Sequence, residues 1–138
     1  MNSIGGTALK VGSEKVNTIN LARISYECGN SKEEYLHILK DRTLLCLEVL
    51  DTIRHIVQRN IEKGLMKNFD AGIVEMDKLY STIGVLGIYE TLDKFGYVIK
   101  DKFGYATYTE EGIEFAEEIL LHIKLRSEER FSRNAETD

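Results

Sequence analysis

The sequence contains no proline and no tryptophan, and only two of its 138 residues are cysteines. Without proline the usual helix stops are missing, so we expect glycines to end the helices. Two thiols are too few for a disulfide framework or a structural zinc site. Cys46 lies in an apolar run, which favours a buried free thiol. Cys28 stands beside Gly29, and we expect it in an exposed loop.

Long apolar runs and an excess of basic residues are missing as well. No apolar stretch approaches the roughly 20 residues that a membrane helix needs, and the first residues lack the pattern of a secretory signal. The net charge of -5 disfavours binding to nucleic-acid phosphates. We therefore expect a cytoplasmic protein that has no nucleic-acid partner and no membrane partner.

Local catalytic and metal-binding motifs are also absent. The sequence has no HExxH, no Walker A loop and no GxGxxG. His37 and His55 fall on one predicted helix about 27 Å apart, so they cannot bind one metal ion. The five glutamates between residues 110 and 118 complement the dipole at the start of a predicted helix. From local motifs alone we predict no catalytic residue and no metal site.

The strongest structural pattern is a long helix over residues 32–62. Ser31 followed by Glu34 forms a capping box before it, and Gly64 closes it. Such a helix is about 45 Å long, which is too long for the compact body that this chain can form alone. Its apolar residues spread over more than one face, which is typical of a helix covered on several sides. The helix therefore bends or belongs to something larger.

Shorter patterns fill the rest of the chain. The glycine-rich residues 1–15 predict a loop, residues 16–24 a buried strand that includes Asn20 as a core amide, and residues 76–80 the start of a short helix. We further expect a strand or a helix entry at 83–89, a helix at 91–95, a hairpin or loop at 97–108, a helix capped by Thr109, and a charged, flexible tail at 126–138.

Two segments together resemble a known family. The first runs Val-Asn-Thr-Ile-Asn-Leu-Ala-Arg-Ile over residues 16–24, with Gly12-Ser13 before it and Ser-Ile-Gly-Gly-Thr at residues 3–7. It resembles the stretch after the active-site cysteine loop in the catalytic subunit of anaerobic, class III ribonucleotide reductases. The family commonly has proline where this chain has Ala22 and an aliphatic residue where it has Asn17.

The second segment is Ser-Thr-Ile-Gly at residues 81–84, followed by Gly87 and Glu90. It is similar to a later barrel strand of the same family and the helix after that strand. The two segments stand in the family's order and at its spacing, and the resemblance covers residues 3–125. It implies a helix-dominated α/β fold in which residues 1–125 are a partial catalytic segment of a ten-stranded α/β barrel of the glycyl-radical type.

The resemblance also implies an activity. These oxidoreductases replace the ribose 2′-hydroxyl of a ribonucleoside triphosphate with hydrogen and so make DNA precursors. A glycyl radical oxidises a cysteine, whose thiyl radical takes the substrate's 3′-hydrogen, and formate is the usual reductant. In the family that cysteine lies before the first segment, and the glycyl-radical motif and zinc-binding cysteines lie well after residue 125. The resemblance thus implies no catalytic residue, metal or cofactor in this chain, which we expect to be inactive alone.

The resemblance also implies which residues of this chain bind substrate. Ser13 matches a polar residue that faces the substrate ribose in the family, and Gly12 would allow close approach of the backbone. Ser81, Thr82 and Gly84 fall where a barrel strand would present polar groups inward. The expected partners are a ribonucleotide, complementary reductase segments and a second copy of this chain.

Two other functions compete with the reductase segment. The apolar surface of helix 32–62 fits a non-catalytic module that binds partners or self-associates. Residues 76–108 also fit a small winged DNA-binding domain, which the acidic charge balance disfavours. The first alternative predicts oligomers in solution, and the second predicts DNA binding that depends on salt.

Overall fold

The computed structural model describes the backbone of residues 12–135 and the side chains of residues 12–128. The segment at residues 3–7 and most of the predicted glycine-rich loop lie outside these residues. The helix-rich α/β character agrees with the sequence prediction. The elements are β1 (Gly12–Asn20), α1 (Leu21–Glu27), α2 (Lys32–Glu62), α3 (Lys67–Asp70), a 3-10 turn (Met76–Lys78), β2 (Leu79–Leu86), α4 (Ile88–Lys94), β3 (Val98–Lys100), β4 (Ala106–Tyr108) and α5 (Glu110–Ala135).

Helix α2 has the bounds that the sequence predicts. The backbone N–H of Glu34 donates to Ser31 Oγ at 3.2 Å, as a capping serine requires. At the other end Gly64 adopts the left-handed φ of 66° and donates its N–H to the carbonyl of Ile61 at 2.9 Å. The helix runs for 31 residues, about 46 Å, without an interruption.

The predicted strand at 16–24 is wrong in its second half. Strand β1 starts earlier, at Gly12, and ends at Asn20, where α1 begins. Asn20 is an exposed N-cap rather than a core amide, and its side chain accepts a hydrogen bond from the N–H of Arg23 at 3.0 Å. Leu21 and Ile24, three residues apart, bury one face of the new helix as readily as they would fill a strand.

Both cysteines are free and buried. For Cys46 this agrees with the prediction, but the exposed loop expected around Cys28 is wrong. Cys28 forms the C-cap of α1, with only 6% of its surface exposed, and its thiol donates to the carbonyl of Ser25 at 3.4 Å. The short helix α1, which the sequence pattern did not indicate, brings this residue into the core.

The second half of the chain follows the predicted order, except that the helix start expected at residues 76–80 is a 3-10 turn that gives way to β2 at Leu79. Residues 83–89 contain both the end of β2 and the start of α4, and Gly87 between them has φ 83°. Strands β3 and β4 form the predicted antiparallel hairpin, in register from Val98↔Tyr108 to Lys100↔Ala106. The hydroxyl of Thr109 accepts from the N–H of Gly112 at 3.0 Å at the start of α5. This helix continues through Ala135, into the segment predicted as a tail.

The chain divides into two compact units, and β1, α2 and β2 each contribute to both. The described part of unit 1 comprises residues 12–17 and 46–84, and that of unit 2 comprises 18–45 and 85–135. The buried apolar side chains of unit 1 are Cys46, Leu47 and Leu50. Unit 2 has a larger core, which holds Ile19, Leu21, Ile24, Cys28, Tyr35, Leu39, Leu92, Phe115, Ile119 and Ile123. No described helix is long and apolar enough to cross a bilayer.

Candidate functional site

All five positions predicted to bind substrate lie in unit 1. Gly12 and Ser13 open β1, and Ser81, Thr82 and Gly84 lie within β2. The two strands pair as neighbours in a two-stranded sheet. The structure therefore brings together two segments that are far apart in sequence.

Three contacts show that β1 and β2 run parallel. The Ser13 hydroxyl lies 3.5 Å from the carbonyl oxygen of Tyr80, and the Ser81 hydroxyl donates to Glu14 Oε2 at 3.1 Å. A Cβ on Gly12 would lie 3.3 Å from the Leu79 side chain. Each contact joins residues 67 positions apart, so the residue numbers increase in the same direction along both strands. Because parallel strands need a crossover connection, α2 lies between them in sequence as the helix of a β–α–β unit.

The five positions divide between the two faces of this strand pair. Glu14 and Ser81 share the face that contacts Arg54 of α2. Since side chains alternate along a strand, Ser13, Thr82 and Gly84 belong to the opposite face. Ser81 is thus engaged with a carboxylate on the helix side. Contact between any of these residues and a nucleotide stays a prediction.

Unit 1 also contains a buried carboxylate, Glu14, that the sequence pattern did not indicate. The side chain of Glu14 is only 2% exposed. Its Oε2 accepts hydrogen bonds from Arg54 Nη1 and from the Ser81 hydroxyl, both at 3.1 Å. Its Oε1 is buried and has no hydrogen-bond partner among the described residues. Glu14 and Arg54 are 40 positions apart, and nothing in a single sequence pairs them.

Arg54 also holds the backbone that leads into β2. Its Nη1 donates to the carbonyl of Leu79 at 3.1 Å, and its Nη2 donates to the carbonyl of Met76 at 2.8 Å. A planar guanidinium can serve several acceptors in a fixed geometry, which an ammonium cannot do. One side chain of α2 therefore ties β1 to the turn before β2.

Neither thiol suits a metal site or a nucleophile. Burial raises the pKa of both Cys28 and Cys46, so both stay protonated at neutral pH. No group of three or more possible metal ligands occurs among the described residues. The residues present do not fit the zinc that the resemblance assigns to the full-length enzymes, and no step here involves that metal.

Two parallel strands, a long crossover helix and a polar strand face define the class: an α/β protein built on a β–α–β unit. Residues 2–136 match the family model of the anaerobic ribonucleoside-triphosphate reductase. The chain belongs to the anaerobic ribonucleoside-triphosphate reductase family. No curated protein matches the sequence significantly.

Solved structures agree with this family. The chain is 38% identical to the anaerobic ribonucleotide reductase from Thermotoga maritima in complex with dATP and CTP, over 96% of its own length, with a TM-score of 0.86. Against the same enzyme with citrate in the active site, the identity is 36% over 93% of this chain, with a TM-score of 0.85. The chain spans only 22% and 23% of those two polypeptides.

Proposed function

We propose that this chain supplies two strands and the crossover helix of the catalytic barrel in an anaerobic ribonucleotide reductase. The whole enzyme would convert ribonucleoside triphosphates to deoxyribonucleotides by radical chemistry. The observation that carries the proposal is the parallel pairing of β1 and β2, which brings the two segments of the family resemblance side by side. The family match over residues 2–136 supports it.

In this proposal the strand face that carries Ser13 is turned toward the nucleotide. The Ser13 side chain is exposed. Its hydroxyl lies 3.5 Å from the Tyr80 carbonyl, which is too long for a strong hydrogen bond, so the hydroxyl can still bond a ligand. Ser13 and Thr82 would hydrogen-bond the ribose hydroxyls, and Gly84 would let the backbone approach the sugar. Ser81 and Gly12, on the opposite face, would act by supporting the strands. A relative crystallised with CTP and dATP supports nucleotides as the ligand class.

The other catalytic parts would come from outside this match, since the chain spans 22% of that relative's length. By resemblance these parts are the radical cysteine, the glycyl radical and the zinc site, with formate as reductant. The 138 residues alone would then have no reductase activity and would work with complementary reductase segments. We place such an enzyme in the cytoplasm, where its nucleotide substrates are.

A segment exchange tests the proposal. Residues 2–136 replace the matched segment of the Thermotoga maritima reductase, and deoxyribonucleotide formation is measured anaerobically after activation, with formate and CTP. We expect turnover, and we expect Ser13→Ala to lower kcat/KM about tenfold, as the loss of one substrate hydrogen bond would. The control is Ser127→Ala, a serine on α5 whose hydroxyl donates to the carbonyl of Lys124 in its own helix.

The decisive comparison uses a chimera that is folded and carries its radical. Circular dichroism reports the fold, and electron paramagnetic resonance reports the glycyl radical. A chimera that passes both tests but forms no deoxyribonucleotide would contradict the proposed function.

A further inference from the structure

We propose that Arg54 and Glu14 are a positioning pair that locks β1 against β2 and thereby holds Ser13 at the substrate face. The structural part concerns unit 1 alone. The catalytic consequence rests on the proposed function. Neither residue touches the reacting atoms in this proposal, and both act through Ser13.

The geometry favours arginine at this position. From one turn of α2, Arg54 reaches the Glu14 carboxylate on β1 at 3.1 Å and the carbonyls of Leu79 and Met76 at 3.1 and 2.8 Å. These acceptors belong to two separate segments of the chain. Since the guanidinium is planar and rigid, its bonds fix the distance between those segments.

The burial of Glu14 makes the pair sensitive to the loss of either partner. Glu14 is 2% exposed, and its Oε1 has no partner among the described residues. Its described charge compensation consists of Arg54 and the hydrogen bond from Ser81. Removing Arg54 would leave a buried carboxylate without its counter-charge, which folded proteins tolerate poorly. The strands would then separate until water reaches that oxygen.

Arg54 bonds a direct neighbour of each residue in the contact between Ser13 and Tyr80. Glu14 follows Ser13 directly, and Leu79 precedes Tyr80, whose carbonyl lies 3.5 Å from the Ser13 hydroxyl. That long contact cannot hold Ser13 by itself. The bonds of Arg54 to both neighbours are shorter, so they determine where Ser13 stands relative to β2.

Hydrogen exchange on the 138-residue chain tests whether the pair holds β1 against β2, without any assay of activity. In Arg54→Met we expect amides of residues 13–16 and 79–82 to exchange at least about tenfold faster, because the strand pair opens locally. Arg59→Met, the same change at an exposed position of α2, should leave these amides unchanged. Equal exchange in the two variants would overturn the proposal.

If Arg54→Met does not fold, Glu14→Gln tests the same proposal. This substitution retains the size of the side chain and one oxygen acceptor but removes the buried charge. We expect a smaller acceleration, about threefold, confined to the same two groups of amides. Exchange rates in Glu14→Gln that match those of the parent chain would overturn the proposal that the pair holds β1 against β2.

Kinetics in the segment exchange test whether the pair acts through Ser13. Arg54→Met should lower kcat/KM about tenfold when Ser13 is present, and much less when Ser13 is already alanine. Equal losses in both backgrounds would indicate a general loss of structure and would overturn the positioning role. If a folded parent chimera that carries its radical does not turn over, the proposed function fails, and hydrogen exchange on the 138-residue chain still tests whether the pair holds the strands together.

Discussion

At the scale of single residues, Tyr35 in unit 2 is the largest fully buried side chain among the described residues. It is fully buried, with its ring edge-to-face against Phe95 and Phe115 at centroid distances of 5.9 and 5.5 Å. Its hydroxyl has no hydrogen-bond partner among the described residues. Burial raises the pKa of Tyr35 to about 12, slightly offset by the nearby Thr91 hydroxyl, which falls short of a hydrogen bond.

This pKa predicts a loss of stability in alkali. The unfolded chain releases the Tyr35 proton near pH 10 and the folded chain near pH 12, so the folded state binds more protons in between. The free energy of unfolding therefore falls as the pH rises through this window, by about 3 kcal/mol in total. Urea titrations between pH 7 and 12 measure the fall.

Tyr35→Phe is the matched variant for that experiment. It keeps the ring contacts and removes the buried hydroxyl, so its stability at pH 7 should equal or slightly exceed that of the parent. It should lack the part of the alkaline loss that Tyr35 causes, while retaining the part due to the raised pKa of the two buried thiols. Identical pH profiles for the two proteins would show that Tyr35 is not the source.

At the scale of elements, α1 and the start of α4 approach each other closely in unit 2. Gly87, which precedes α4, has a left-handed φ of 83°. A Cβ at this position would lie 2.7 Å from the Cβ of Ala22 and 2.8 Å from its backbone nitrogen. Glycine is therefore required twice, for its backbone angle and for the space that α1 occupies. The sequence indicated a close approach in this region without naming the partner.

A pair of glycine substitutions separates these two requirements. Gly87→Ala should cost about 3 kcal/mol or more, since it combines backbone strain with the collision against α1. Gly96→Ala should cost only about 1 kcal/mol, because Gly96 has a similar φ of 79° but open space within 4 Å of an added Cβ. Urea denaturation at neutral pH measures both. Equal costs would contradict the close packing of α1 on α4.

At the scale of the whole molecule, apolar side chains remain exposed along two long helices. On α2 they include Leu45, Val49 and Ile56, and on α5 they include Leu121 and Leu125. They recur four or seven positions apart, which groups them into helical faces. In a full reductase the remaining polypeptide would cover such faces. The same surface supports the alternative function as a self-association module.

We expect the isolated chain to associate reversibly in the micromolar range. Exposed apolar faces of this kind are typical of interaction surfaces. Changing both Leu121 and Leu125 to glutamine should weaken association about tenfold, because it removes two apolar contacts from one face of α5. Sedimentation velocity over a concentration series measures the effect.

The control for association places the same new side chains elsewhere on α5. Glu114 and Glu118 are exposed and have the same spacing, so changing both to glutamine should leave association unchanged. A parent chain that sediments as a monomer throughout the micromolar range would contradict this prediction and remove the self-association alternative.

The sequence by itself determined features that depend on neighbours along the chain. The bounds of α2, its serine cap, the hairpin and the start of α5 all follow from caps, glycines and apolar spacing, which act over a few residues. The family resemblance likewise follows from two contiguous segments. The end of β1 was missed because Asn20 fits a strand interior and a helix cap equally well until the chain around it folds.

Only the tertiary structure decided which distant groups meet. It assigned Ser13 and Ser81 to opposite faces of one strand pair, and it buried Glu14 against Arg54, 40 residues away. The physical reason is that burial and charge pairing depend on the whole packed surface, whereas a sequence pattern records only the period of a local helix or strand. The sequence therefore determined the elements and the family, and the packing of those elements decided the contacts of the site.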